Sequence, residues 1–172
     1  IKGLSSSPDF AEKMGIERDT ALISDLNIRY HADQVTTKIG LDVLRDIKAT
    51  NNRITAGTSI HHLLFNELDI GNYRTFFKLK PPLRSNADRE ALTEAIREGL
   101  IDNICSMHTP QDEESKRLPF EEAAPGAVGI ETILPASLSL YHNKILSLNQ
   151  LFRLLALNPA NIIKKSLGCL DE

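Results

Sequence analysis

The sequence predicts an α/β fold in which parallel strands are covered by helices. Short runs rich in β-branched residues alternate with longer runs whose apolar residues recur at helical spacing. Strands that are separated by helices need crossover connections, and these place the helices outside a parallel sheet. The chain has 172 residues, of which 41% are hydrophobic, so it is long enough to bury a core.

The first part of the chain predicts an opening helix, a strand with the helix that follows it, and a second strand that ends in a loop. Residues 8–26 carry apolar side chains at helical spacing after Ser7, so they predict the opening helix. A short mixed run at 28–35 predicts a strand, and Thr37 can cap the helix that follows. The β-branched run at 53–59, RITAGTS, predicts the second strand.

The middle of the chain predicts two further strands around a helix. Residues 75–79 have strand composition, and Pro81-Pro82 would end this strand because proline cannot donate to a ladder. Ser85 is placed to cap a helix that closes at Gly99, a residue common just past a helix end. The apolar run 100–105 then predicts another strand.

The last part of the chain predicts two or three helices. Ser147 is placed to cap the second, and Asn158-Pro159 is expected to break the chain before a third. The acidic, proline-containing segment 109–127 and the turn at 143–144 are the predicted linkers. Within the first of these, the charged run 112–117 is most simply a solvated loop.

Polar residues follow each predicted strand. They are Asp33-Gln34, His61-His62, Lys80 with Arg84, and Ser106-Met107-His108. The carboxyl ends of parallel strands share one edge of a sheet, where such folds carry their chemistry. Each group also has an ordinary interpretation as a surface or hydrogen-bonded core residue. Two adjacent histidines on an extended backbone point to opposite sides, so only one of the pair could face a given site.

Composition excludes several classes of function. A formal charge of -3 and a pI near 6.0 argue against a surface for nucleic acid or anionic membrane. Cys105 and Cys169 form no CxxC pair, so we expect neither a disulfide framework nor a thiolate zinc site, and a reducing cytoplasm fits best. No apolar run is long enough for a membrane span, and the start lacks the order of a signal peptide. The first residue is Ile1, which indicates a processed chain or a fragment.

Four stretches resemble one known family. ITAGTSIHHLL, FKLKPPLR, DNICSMHTPQDEESKRLPFEEAAPGAVGIETILP and LNPANII are similar to successive segments of a dihydroorotase, an amidohydrolase-superfamily enzyme of the type that associates with aspartate transcarbamoylase. The resemblance covers nearly the whole chain, and the PPLR and GIETILP blocks make it specific. It implies a TIM-type (β/α)8 barrel, of which residues 1–172 are roughly the C-terminal half. By the same resemblance, the first half would hold an HxH metal pair and a bridging metal ligand.

The resemblance also implies a chemistry. Dihydroorotases interconvert dihydroorotate and N-carbamoyl-aspartate by hydrolysing or forming a cyclic amide, with one or two zinc ions that polarise a carbonyl and generate hydroxide. Carried over by position, His61 matches a metal histidine, whereas Gln34 stands at the place of the family's other metal histidine. Met107 replaces the catalytic aspartate, and His108 matches a substrate-contacting histidine. The resemblance implies substrate contacts for two more residues, Lys80 in place of an asparagine and Arg84 of PPLR.

These substitutions leave two interpretations open. A thioether cannot accept a proton from a metal-bound water, and a glutamine amide is a poor zinc ligand. The first interpretation is therefore a dihydroorotase-like protein with impaired or lost catalysis and a structural role as a partner of aspartate transcarbamoylase. The second is an active zinc-dependent cyclic amidase with a reduced metal site, in which Asp33 or Asp112 could compensate.

An incomplete barrel also predicts association. About four parallel strands would leave two open sheet edges and an uncovered inner face, which we expect to be apolar. The chain is therefore expected to be an oligomer or to contact its missing half.

Overall fold

A computed structural model describes residues 7–26 and 28–169, and its centre is a three-stranded parallel sheet. The strands are β1 (Tyr30–Ala32), β2 (Ile54–Ser59) and β3 (Asn103–Cys105), in the order β1-β2-β3. Tyr30 of β1 pairs with Ile54 of β2, and Gly57 of β2 pairs with Asn103 of β3. The predicted parallel sheet is confirmed for these three strands, although β1 and β3 are shorter than expected.

Four helices accompany the sheet in the first part of the chain: α1 (Asp9–Leu26), α2 (Lys38–Lys48), α3 (Ile60–Leu64) and α4 (Asn86–Arg97). The predicted caps are confirmed. The Thr37 hydroxyl accepts a hydrogen bond from the Gly40 backbone N–H, and the Ser85 hydroxyl accepts one from Asp88. Gly99 follows α4 with a φ of 77°, which a residue with a side chain rarely adopts.

The remaining helices are α5 (Glu113–Arg117), α6 (Ile133–His142), α7 (Leu148–Phe152) and α8 (Asn158–Ile162). Ser147 caps α7 as predicted and forms a capping box with Gln150. The predicted break before Pro159 is wrong, because a π-helical turn at Arg153–Leu157 joins α7 to α8 without leaving helical backbone. In the described part of the chain, no helix combines the length and hydropathy that a membrane span needs.

The strand predicted at residues 75–79 is wrong. Thr75–Phe77 instead forms a 3-10 turn, and the Phe77 ring packs edge-to-face on Phe65 with 5.3 Å between the ring centroids. Phe77 therefore packs against the end of α3 instead of pairing in a sheet, and Phe76 is 72% exposed.

The segment 109–127 is not a linker, and its charged run 112–117 forms α5 and its N-cap, with every charged side chain except that of Lys116 exposed to solvent. Asp112 caps α5 through a 2.8 Å hydrogen bond from the Ser115 backbone N–H. Lys116 is buried and donates to the Thr75 carbonyl at 3.1 Å, while the Thr75 hydroxyl donates to the Lys116 carbonyl. The Gly126 backbone N–H also donates to the Lys78 carbonyl at 2.9 Å, so three hydrogen bonds fasten the segment to residues 75–78.

The hydrophobic core lies between the sheet and the helices. Its strand residues include Ala32, Ile54, Ala56 and Ile104, which pack with apolar residues of the helices. The alternate positions form the inner face of the sheet and are occupied by the partly buried residues His31, Thr55, Asn103 and Cys105. The prediction of an apolar inner face is therefore wrong, because only the opposite face packs on the helices.

Candidate functional site

A cavity of about 210 Å³ lies where the strands end, and we call it the strand-end cavity. It brings together five residues that the sequence placed after strands: Gln34, His61, His62, Lys80 and Met107. The other lining residues are Ser59, Leu79, Thr109, Gln111, Pro125 and Gly126. A larger neighbouring groove of about 1100 Å³ shares Gln34 and Lys80 with this cavity and contains Arg84.

Gln34 and Met107 occupy equivalent backbone positions. Each follows its strand by two residues, and each has a left-handed φ, 56° for Gln34 and 45° for Met107. This conformation is uncommon for residues other than glycine and costs on the order of 1 kcal/mol or more. The two strands that flank β2 therefore both end in a left-handed turn, and both turns carry a cavity residue.

His61 and His62 lie in the first turn of α3, so the expected extended backbone is wrong. The Ser59 hydroxyl accepts a hydrogen bond from the His61 backbone N–H at 3.1 Å. The His61 Nε2 atom is buried and has no hydrogen-bond partner among the described residues. Burial lowers the pKa of His61, and the nearby backbone of Ser106 offsets only part of this effect. His61 therefore presents a neutral imidazole to the cavity.

His62 fastens the end of β2 to the loop that carries Lys80. Its Nε2 atom lies 3.2 Å from both the Pro81 and the Pro82 carbonyl oxygens, and its Nδ1 atom lies 3.2 Å from the Ser59 hydroxyl. Carbonyl oxygens only accept, so Nε2 carries the proton and the Ser59 hydroxyl donates to Nδ1. Burial lowers the pKa of His62 to about 4.

This lowered pKa predicts a loss of stability in mild acid. The unfolded chain takes up a proton near the ordinary value of 6.5, whereas folded His62 resists protonation until about pH 4. The contribution of neutral His62 to the free energy of unfolding is therefore fully present above pH 6.5. It is lost as the pH falls towards 4, and the loss amounts to about 3 kcal/mol. When the free energy of unfolding is measured by chemical denaturation across this pH range, it should depend less on pH in His62→Gln than in the unmodified chain. Parallel profiles for the two proteins would contradict the assignment.

His108 lies at the exposed rim of the site and is held through one ring nitrogen. Its Nδ1 atom accepts hydrogen bonds from the Gly129 and Ile130 backbone N–H groups at 3.2 and 3.3 Å. The neutral ring therefore carries its proton on Nε2, which is the nitrogen that remains for a ligand. His108 does not line the strand-end cavity itself.

Gly129 lets the 126–130 segment close over β3. A Cβ atom at this position would lie 2.1 Å from the Ser106 carbonyl oxygen and 3.2 Å from His61 Nε2. Neither the backbone of Ser106 nor buried His61 can move away freely, so close packing here requires glycine.

We expect Gly129→Ala to lower the free energy of unfolding by about 1–3 kcal/mol, the usual cost of overpacking. Gly15→Ala is the matched control, because a Cβ at Gly15 of α1 meets no atom within 4 Å. That control should instead stabilise the chain by about 0.5–1 kcal/mol through helix propensity. Thermal or urea unfolding measures both changes, and equal effects would refute the packing argument.

Arg84 is held by protein groups. It is buried, and its Nη1 atom donates to the Ser7 carbonyl at 2.6 Å and to Asp9 at 3.1 Å. Its Nε atom donates to the Thr36 hydroxyl at 3.1 Å, and Nη2 lies 3.9 Å from a Glu12 carboxylate oxygen. The substrate contact suggested for Arg84 stays a prediction, and the geometry shows a clamp between α1, the end of β1 and the PPLR loop.

The donor chemistry of the strand-end cavity does not fit zinc. Gln34 offers an amide and Met107 a thioether, so His61 supplies the one unengaged imidazole. No group of three or more His, Cys, Asp or Glu side chains within residues 7–26 and 28–169 is arranged to hold a metal ion. Of the two possible compensating carboxylates, Asp112 caps α5 and Asp33 lines the neighbouring groove.

Cys105 does not supply a nucleophile either. Burial raises the pKa of its thiol to about 12, and the negative charge of Asp33 adds to this effect. The thiolate is therefore essentially absent at neutral pH.

Sequence reasoning missed the loop that completes the cavity. Thr109, Gln111, Pro125 and Gly126 all come from the segment that was predicted to be a linker. A signal was available in the glycines at 126 and 129, which follow Pro125 and mark a close backbone approach.

Solved structures with similar folds are barrel enzymes. An L-hydantoinase (dihydropyrimidinase) from Arthrobacter aurescens matches with a TM-score of 0.89 and 27% identity, over 96% of this chain and 38% of that one. A dihydropyrimidinase from Brevibacillus agri matches with a TM-score of 0.84 at 18% identity, over 96% of this chain and 38% of that one, which supports the fold alone. The chain has the fold of a segment of an amidohydrolase-superfamily (β/α) barrel.

Within that superfamily, the chain is related by sequence to the dihydroorotases over nearly its whole length. It is 39% identical to a dihydroorotase from Ehrlichia canis over 96% of the chain, and 38% identical to one from Aquifex aeolicus over 99%. The chain spans only 37% and 40% of the length of these two relatives. No protein-family model matches the chain.

Proposed function

We propose that residues 1–172 form the C-terminal part of a dihydroorotase-like barrel in which hydrolysis is impaired or lost. The observation that carries the proposal is that Gln34 and Met107, two neutral side chains at equivalent strand ends, line the same cavity. The relationship to dihydroorotases supports the reaction class, a cyclic amidohydrolase of pyrimidine metabolism.

The physical reason for impairment is that no carboxylate among the described residues lines the strand-end cavity. Hydrolysis of an amide needs a group that accepts a proton from the attacking water, and neither an amide nor a thioether does so at neutral pH. His61 is neutral and could accept a proton, but one imidazole leaves a divalent ion without the charged ligands that it prefers.

The same proposal includes the ligands of the chain, its protein partner and its location in the cell. A chain of this kind would bind dihydroorotate or N-carbamoyl-aspartate through Lys80 and His108, and it would act in the cytoplasm as a structural partner of aspartate transcarbamoylase. Lys80 lines the cavity, and His108 holds its Nε2 nitrogen available at the rim, which supports the ligand contacts.

The alternative is an active zinc-dependent amidase whose missing ligands come from another part of the barrel. The buried Nε2 atom of His61, which has no partner among the described residues, favours this second candidate. His61 would then be a metal ligand, as its position in the sequence suggests.

A chimera separates the two candidates. In it, this chain replaces the matching segment of Ehrlichia canis dihydroorotase, so that the rest of the barrel is supplied by the relative. Hydrolysis of dihydroorotate is then measured beside the intact E. canis enzyme. A folded chimera with low turnover supports impaired catalysis, and turnover near that of the intact enzyme supports the alternative.

A further inference from the structure

The charges around the strand-end cavity favour an anion over a cation. No carboxylate among the described residues lines it, and its one formal charge is the ammonium group of Lys80. Asp33, which precedes Gln34 in the sequence, lines the neighbouring groove and not the cavity. Burial lowers the pKa of His61 and of His62, so neither ring is charged at neutral pH. A buried charge needs a partner of opposite sign, which this cavity offers only to an anion.

Several polar side chains of the cavity are available to a ligand. The amides of Gln34 and Gln111 and the ammonium group of Lys80 form no hydrogen bond or ion pair with the described residues. His61 is only 8% exposed, and its Nε2 atom is buried without a partner among those residues. Leaving a buried polar atom unpaired costs about 1–3 kcal/mol, so a ligand that bonds to it is favoured. Ammonium and amide groups donate, and these donors suit carboxylate oxygens.

The loop that supplies the cation is fixed at the cavity. The carbonyl oxygens of the two prolines that follow Lys80 each lie 3.2 Å from His62 Nε2. On the other side of Lys80, the Lys78 carbonyl accepts a hydrogen bond from the Gly126 backbone N–H at 2.9 Å. The backbone on both sides of the cation is therefore bonded to other walls of the site.

The remaining walls favour an organic acid over an inorganic anion. Leu79, Met107 and Pro125 give the cavity an apolar side, against which a carbon skeleton can pack. One ammonium group balances one carboxylate, whereas a phosphate carries a charge of about -1.5 to -2 at neutral pH. A water takes about 30 Å³ in the liquid, so a cavity of about 210 Å³ has room for an acid of a few non-hydrogen atoms.

We propose that the strand-end cavity binds the carboxylate group of a small organic acid between Lys80, Gln34 and His61. The resemblance to dihydroorotases implies a metal ion in this space, so the cavity of this chain has the reverse charge preference. The proposal rests on the loss of metal ligands in the proposed function, but it concerns binding and needs neither hydrolysis nor a metal.

NMR of the methionine methyl groups tests the proposal. The chain contains two methionines, and Met107 lines the cavity. Met14 is 61% exposed and lines neither the cavity nor the groove, so it is the internal control. The methyl groups of the 172-residue chain are isotopically labelled, and Met14→Leu assigns the two signals. Propionate at neutral pH should shift the Met107 signal saturably and leave the Met14 signal unchanged.

Two comparisons isolate the charge. Propionamide has the shape of propionate without its charge, and it should need a concentration at least about tenfold higher for the same shift. Lys80→Met should raise the half-saturating propionate concentration at least about tenfold for the same reason. The matched control is Lys165→Met, which removes the same charge at an exposed lysine outside the cavity and the groove. It should bind like the unmodified chain, and circular dichroism should show that both variants are folded.

Four results would overturn the proposal. They are an unchanged Met107 signal, equal binding of propionate and propionamide, equal binding by the two lysine variants, and loss of propionate binding on addition of equimolar zinc. Inorganic phosphate that acts at a lower concentration than propionate would overturn it as well, because the carbon skeleton would then contribute nothing. Turnover by the chimera tests the proposed function separately. Robust turnover together with propionate binding would refute the proposed function alone, and low turnover without propionate binding would refute this inference alone.

Discussion

The chimera that carries this chain in place of the matching E. canis segment is expected to turn over dihydroorotate about 10²–10⁴-fold more slowly than the intact relative, the usual cost of losing a general acid or base. Met107 lines the cavity at the end of β3, where the resemblance to dihydroorotases implies an aspartate, and its thioether cannot take a proton. Gln34 should add to the defect, because its amide does not replace a metal-binding imidazole.

Restoring one residue should recover little of this activity. In Met107→Asp a carboxylate returns while Gln34 remains, and in Gln34→His an imidazole returns without its carboxylate. The double variant should exceed the product of the two single gains, because residues that act as one unit are not additive. Both positions already have the left-handed backbone that presents their side chains to the cavity, so the substitutions need no new turn. Robust turnover by the unmodified chimera would refute this prediction.

Arg84→Met is expected to lower the free energy of unfolding by about 3–5 kcal/mol, the typical cost of removing one partner of a buried ion pair. The Glu12 carboxylate already accepts from the backbone N–H groups of Thr36 and Thr37 at 2.9 and 2.8 Å and lies 3.9 Å from Arg84. Without the guanidinium, Glu12 keeps its hydrogen bonds but loses the neighbouring positive charge, and the Ser7 carbonyl loses its donor.

Lys80→Met is the matched control for this clamp. Lys80 is an exposed cation of the same loop, and no salt bridge joins it to the described residues. Its replacement should change stability by less than about 0.5 kcal/mol, as is usual for surface positions. Urea unfolding compares the two variants. A small effect of Arg84→Met would mean that the clamp contributes little and that Arg84 is available for a ligand.

The sequence predicted the elements whose signals are local. Thr37, Ser85 and Ser147 each cap the helix expected of them, because a cap depends only on a hydroxyl and the next turn. The strand expected at 75–79 is absent because the Phe77 ring packs on Phe65 and the Thr75 carbonyl accepts a hydrogen bond from the Lys116 side chain, contacts that no local pattern encodes.

The candidate site was predictable only where its residues are marked by a local signal, the end of a strand. Placement after a strand found Gln34, His61 and Met107, since strand ends converge at one edge of a parallel sheet. Placement after a strand did not show that the Arg84 side chain is bound by the protein itself, because its partners lie 48 or more residues away in the chain. It also missed Gln111, because the fastening of segment 109–127 depends on buried Lys116, a residue type that usually stays in solvent.

Zinc content of the chimera tests the central claim most directly. The chimera, its Gln34→His/Met107→Asp variant and intact E. canis dihydroorotase are loaded with zinc, dialysed against a weak chelator and analysed by atomic emission. A cavity that supplies an amide and a thioether predicts that the unmodified chimera retains less zinc than the intact enzyme and that the double variant regains it. Equal retention by the unmodified chimera and the intact enzyme would contradict the claim that this segment has lost its metal ligands.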